Sequence, residues 1–248
     1  VLVALGVAAL FLFNWNQLRT YVGGQISGAA GREIEIRGDL NVSLGWWPTI
    51  AAGDIHFANA TWGSQPEMAH VGRVEARFRL LSLLFGPLEI SRLRITGLDL
   101  LLETDGQRKN WQFGAGSASA AAVKAAAPKR RSEFPTIQRL EIDDSKLTYR
   151  APNLQDPIQT QIETLSLKAP DPRGTIDVTA TGTYKQRKLT LAGTVGSFES
   201  LHSTAAPYPV KLKGQVGDLQ AVVDAGIRQP LEFQGIGGSI SLGGKSLS

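Results

Sequence analysis

From Ile34 to Leu44 the chain alternates without a break. Ile34, Ile36, Gly38, Leu40, Val42 and Leu44 share one parity; Glu33, Glu35, Arg37, Asp39, Asn41 and Ser43 share the other. Side chains of a strand point to opposite faces with period two, so this segment is expected to be one long strand with a greasy face and a wet face. A sheet built from such strands must cover its greasy face with something.

What precedes the strand narrows the choice. Val1 to Phe13 is an apolar run, followed by Asn14, Trp15, Asn16, Gln17 and Leu18 with no small-x-small cleavage pattern. A spanning helix needs roughly 20 residues. The first residue is not Met, and the chain stops in a Gly/Ser-rich strand pattern. The run is therefore expected to be the remainder of an uncleaved membrane anchor, with Trp15 and Tyr21 near the membrane–water boundary, on a chain cut at both ends. Leu18, Val22 and Ile26 continue it at helical spacing as an amphipathic helix, which Gly31 should end.

Strand texture dominates the rest. Trp46, Trp47 and Pro48 should break the first strand, since Pro cannot donate to a ladder. Ile55 and Phe57 alternate with Asp54 and His56. Val74, Ala76, Phe78 and Leu80 alternate with Arg73, Glu75, Arg77 and Arg79. Leu81 to Phe85 is a short apolar cluster, expected to plug the end of a sheet. In the run from Leu88 to Leu102 the parity shifts at Ser91-Arg92 and again at Gly97, which marks bulges. Asp105-Gly106 is a turn signal, with a short return strand at Asn110 to Phe113. Residues 115–134 are Ala, Gly and Ser with a basic end, the composition of a flexible linker. Short alternating runs resume after Pro135, with a turn expected at Asp144-Ser145. The expected organisation is an anchor and amphipathic helix over 1–30, a β domain over 31–114, the linker, and a continuing sheet over 135–248.

No constellation of chemistry emerges. The chain has 248 residues, three His, no Cys and a formal charge of +4. The missing cysteines exclude thiolate nucleophiles and the usual zinc and iron–sulfur sites. His56, His70 and His202 are scattered and read as surface or turn residues. Asp54, Asp99, Glu103 and Asp105 have nothing in the sequence to bring them together. The Gly-rich stretches near residues 181–183, 193–196 and 214–217 lack a phosphate-loop lysine. Arg73, Arg77 and Arg79 are interrupted by Glu75 and carry no stacking aromatics, so nucleic acid is not an expected partner. The expectation is a non-enzyme without cofactor or metal.

Taken in order, several of these pieces resemble the AsmA-like family of bacterial envelope proteins. They are the apolar run and polar helix ending at Gly31-Arg32, the strand Ile34 to Leu40, and Pro48-Thr49-Ile50. Ala58-Asn59-Ala60-Thr61-Trp62-Gly63, the segment Met68 to Leu84, the run Ile90 to Leu102, Asp105-Gly106 and Asn110-Trp111 follow. The resemblance implies an inner-membrane protein with most of its mass in the periplasm. It also implies a mainly β fold: an N-terminal helix, then a long, twisted, mostly antiparallel sheet curled into an open trough, related to chorein-type bridges. Implied too are phospholipid acyl chains and the inner membrane as partners, outer-membrane or periplasmic proteins as further ones, and no catalytic residues. On that reading the lining near the membrane is Ile34, Ile36, Leu40, Val42, Leu44, Val74, Phe78 and Leu80. The rival reading is a scaffold or assembly factor whose sheet edge pairs with a client strand.

Overall fold

The computed structural model describes residues 14–80, 82, 88–112, 136–171, 173–202, 206–230 and 234–244. A 3-10 turn, Trp15–Leu18, leads into helix α1, Arg19–Ala30. The strands are β1 (Ile34–Ile36), β2 (Leu40–Ser43), β3 (Thr49–Ala58), β4 (Glu67–Phe78), β5 (Glu89–Glu103) and β6 (Thr136–Ile137). They continue as β7 (Arg139–Arg150), β8 (Ile158–Lys168), β9 (Ile176–Tyr184), β10 (Arg187–Val195), β11 (Tyr208–Val216), β12 (Leu219–Gln229) and β13 (Gln234–Gly243).

All thirteen join one open sheet. The order runs β1, β3, β4, β5, β7, β8 and on to β13, with β2 also on β3 and β6 also on β5. Every pairing is antiparallel except β5 with β6 and β7, so the sheet is mixed. A parallel step cannot be closed by a tight turn. The expected linker falls in this crossover and, with the apolar run Val1–Phe13 and most of the expected plug at Leu81–Phe85, lies outside the described residues.

Several expectations change. The strand expected from Ile34 to Leu44 is two strands. Between the pairs Ile36–Ile55 and Leu40–Ala52, three residues oppose two, a bulge centred on Gly38. Here the backbones approach so closely that a Cβ on Gly38 would lie 2.7 Å from the Gly53 carbonyl. Leu44 lies just past β2, and Leu80 just past β4, which ends at Phe78. The turn expected at Asp144-Ser145 is the middle of the continuous strand β7.

Gly31 ends α1 as expected, in the left-handed conformation (φ 68°). The helix packs on β1 differently from the expected apolar stripe. Gly23 is buried against it, while Ile26 is 45 % exposed. Ser27 Oγ accepts from Ile34 N at 2.7 Å and lies 3.2 Å from Ile34 O. Arg19 Nη1 donates to Arg37 O, and Asn16 Oδ1 accepts from Leu40 N. The 3-10 turn and the helix thus lie antiparallel along β2 and β1 and satisfy backbone groups that an edge strand leaves bare. At the opposite edge, every residue of β13 is exposed.

Candidate functional site

The registers show how the greasy face is assembled. Leu40 pairs with Ala52, and Ala52 with Val74. Val74 pairs with Ile95, Ile95 with Ile142, Ile142 with Leu165, and Leu165 with Ala180. The row continues through Leu191, Gly214 and Ala221 to Leu242. The adjoining row starts at Val42 and Ile50, passes Leu93, Leu140 and Leu167, and ends at Leu212, Val223 and Ile240. Its remaining members, Ala76, Val178 and Gly193, are also apolar or glycine. At about 4.8 Å between neighbouring strands, eleven strands give a path roughly 48 Å long.

What covers this path decides what it can do. Among the described residues, substantial contacts join only sheet neighbours, apart from α1 with β1 and the 3-10 turn with α1 and β2. No second layer of described structure packs on the greasy face. Its residues are half-buried through the middle of the sheet, where they cover one another. Leu40 is 5 % exposed at the covered edge, and Ile240 and Leu242 are each 69 % exposed at the bare one.

The expected lining residues divide as follows. Leu40 and Val74 share the first row and Val42 sits in the second. Phe78 is buried beyond them, opposite Ile90 after a register shift. Ile34 and Ile36 are buried beside α1 and pair with Phe57 and Ile55. Leu44 and Leu80, outside the ladder, are half-buried.

A crease separates Ile36 from Leu40 and runs across the sheet. Asp54 (φ 48°), Gly72, Gly97 (φ 68°), Asp144 (φ 48°) and Glu163 occupy laterally adjacent positions on β3, β4, β5, β7 and β8, fixed by the pairs that flank them. On either side the apolar residues are three apart rather than two: Ala52 and Ile55, Val71 and Val74, Ile95 and Leu98, Ile162 and Leu165. Strict alternation would send the members of each pair to opposite faces. Left-handed residues in register on β3, β5 and β7 reset the alternation there. Gly97 has the φ that glycine adopts most readily. The parity shift expected at Gly97 is therefore real, but it belongs to a line of distortions crossing five strands.

At the far end of the sheet, the motif residues Asn59 to Gly63 meet Asn110. Asn110 is fully buried: its Nδ2 donates to Asn59 Oδ1 (3.0 Å) and Leu101 O (2.8 Å), and its Oδ1 accepts from Glu103 N (2.8 Å). The Glu103 carboxylate, 3 % exposed, accepts from Asn59 Nδ2 (2.6 Å) and Ser64 N (3.0 Å). This network ties the β3–β4 loop to the turn after β5. Asp105 starts that turn; hydrogen bonds from the Arg108 backbone and side chain lower its pKa to about 2.

The network unites motifs that resembled one family, and the comparisons agree. The AsmA family model matches residues 1–228. The chain belongs to the AsmA family. An AsmA relative, the AsmA family protein YhjG of Escherichia coli (strain K12), is 25 % identical over 272 aligned residues. The match covers all of this chain and 40 % of that relative, so the chain spans well under half of the relative's length. Among the described residues, no helix is long and apolar enough to cross a membrane.

On the polar side one grouping departs from the sequence reading. His56 and His70 are directly opposite each other on β3 and β4, with Asp54 beside both. They are not scattered. Sequence alone could not pair them, because the β3–β4 register depends on where the loop between them closes.

Proposed function

We propose that this protein is anchored in the inner membrane and holds or moves phospholipid through the periplasm for outer-membrane biogenesis. Acyl chains lie along the apolar rows and head groups face water. The supporting observation is the path of apolar residues across eleven strands, which no other described element covers. Each methylene removed from water contributes about 0.8 kcal/mol, so one long acyl chain crossing water unaided faces a barrier on the order of 10 kcal/mol. A greasy face lowers that barrier passively, and the reading needs no cofactor and no catalytic group. A path of roughly 48 Å exceeds an acyl chain, which spans about half of a ~30 Å hydrocarbon core.

The position of α1 supports the orientation. The 3-10 turn that leads into it lies beside Asp39 and Leu40, so the chain preceding Asn14 joins the domain at the end carrying the β2–β3 tip. At that tip Trp46 is 83 % exposed and Trp47 54 %. Tryptophan settles at membrane–water boundaries. The apolar run Val1–Phe13 would hold this end at the bilayer, with the nearby mouth of the groove positioned to receive lipid.

The β13 strand, whose other side pairs with no described residue, favours a second reading, a scaffold that pairs with a client strand. The uncovered face favours the groove, because an edge-pairing scaffold has no use for a continuous apolar path.

Photo-crosslinkers at Val74, Ile95 and Leu191 in growing cells test the proposal, with Glu75 and Arg94 as controls on the alternate parity. Lipid adducts should form at the first three positions, and Ile95→Asp should abolish them at Leu191. Adducts absent from all three, or equally frequent at the controls, would sink the groove reading.

A further inference from the structure

We infer that Asp54, His56 and His70 form a binding site for a borderline divalent transition-metal ion such as Zn2+, on the polar side of the β3–β4 pair. The inference is independent of the groove reading. His56 Nε2 lies 3.0 Å and His70 Nε2 2.9 Å from the same oxygen, Asp54 Oδ1. The three ligand atoms lie within 4.8 Å of one another. Zinc bound at about 2.0–2.1 Å sets tetrahedral ligands roughly 3.3 Å apart, so small rotations of the two rings make room for an ion. Two imidazoles and one carboxylate leave a fourth position for water, on a part-exposed surface an ion can reach.

The hydrogen-bond geometry points the same way. His56 Nδ1 lies 3.0 Å from Glu67 Oε1 while its Nε2 faces Asp54. A carboxylate only accepts, and a neutral imidazole has one N–H. With the proton on Nδ1, the Nε2 lone pair faces the Asp54 carboxylate, and the donor that reaches it is Arg37 Nη1, at 3.4 Å. A metal at Nε2 removes the conflict and leaves Nδ1–H to donate to Glu67, the outer carboxylate that orients many metal-bound histidines. Asp54 holds its carboxylate there from the left-handed crease position.

One neighbour opposes binding. Arg37 Nη1 lies 3.4 Å from His56 Nε2, and its guanidinium is held 2.8 Å from Glu35. It must swing aside, so its removal should tighten binding.

The test is calorimetric titration of the full chain with Zn2+ alone, repeated with Co2+ to read coordination geometry from its visible spectrum. We expect one equivalent bound with a dissociation constant at or below roughly 10 µM, and four-coordinate Co2+. His56→Gln and His70→Gln should each weaken binding at least about tenfold, and Glu67→Gln by about 10-fold or more. Arg37→Ala should strengthen it. His202→Gln, in the 3-10 turn Glu199–His202, should change nothing. Circular dichroism checks that each variant keeps its sheet. The site is refuted if no saturable single equivalent appears, if His70→Gln binds as the wild type does, or if Arg37→Ala weakens binding. A second proton on His56 as the only occupant would produce the first of these results.

Discussion

Replacing Asn110 with Ala removes three hydrogen bonds from a fully buried position. A net intramolecular hydrogen bond contributes about 1 kcal/mol. The larger loss comes from the groups left behind. Glu103 N–H and Leu101 C=O would lose this partner in a site closed to water, at about 1–3 kcal/mol each, while Asn59 Oδ1 keeps the Ala60 N–H. Partial relaxation and water entry reduce the sum, so a local loss of about 3 kcal/mol is expected. Native-state hydrogen exchange is the suitable assay, because it reads opening at this end of the sheet separately from the rest. Glu103 N–H and Ser64 N–H, which donates to the Glu103 carboxylate, should exchange at least about a hundredfold faster, at 1.4 kcal/mol per tenfold. Amides in the middle of β10 and β11 should be unaffected. An acceleration of Ser64 and Glu103 below about tenfold would mean that the network does not hold this end of the sheet.

Two further substitutions probe the sheet and one of its turns. Gly97→Val should cost at least about 1–2 kcal/mol from left-handed strain alone, read as a lower urea midpoint, whereas Val at Gly45 in the exposed β2–β3 tip should cost far less; equal effects would refute the crease. Tyr208 is 6 % exposed and its hydroxyl donates to Gly196 O at 2.7 Å. Burial raises its pKa to about 12 from an ordinary value near 10. Its stabilising contribution is complete below pH ~10 and is lost as pH rises through ~12. Tyr208→Phe should flatten that part of an alkaline stability profile, and an unchanged profile would exclude Tyr208 as its source.

Much of the architecture was legible because its signal is local. Val74 and Ala76, or Leu140 and Ile142, declare a strand and its dry side without help from distant residues. The crease was half visible. Gly97 drew notice because glycine in a strand marks a bend. Asp144 reads as a turn because Asp and Ser favour turns, and nothing local distinguishes a turn from a left-handed residue inside a strand. The clue lay across strands: apolar spacings of three recur from Ala52–Ile55 to Ile162–Leu165, at positions that registers bring side by side. The Asp54–His56–His70 cluster was invisible for a related reason. Its geometry depends on the β3–β4 register, which is set by a loop pinned by Asn110, some 50 residues further along the chain.

The parallel step between β5 and β7 has a consequence for the order of assembly. Antiparallel neighbours that follow one another in the chain are joined by connections of two to twelve residues, so their pairing closes small loops. Leu93 meets Leu140 only after a loop on the order of 50 residues has closed. Closure entropy grows as (3/2)RT ln n, so this junction costs about 2 kcal/mol more than a four-residue turn before any contact repays it. The hairpins should form early and separately, as two stacks. Their docking at β5 and β7 is then the slow, high-contact-order event that makes one continuous path out of two shorter ones.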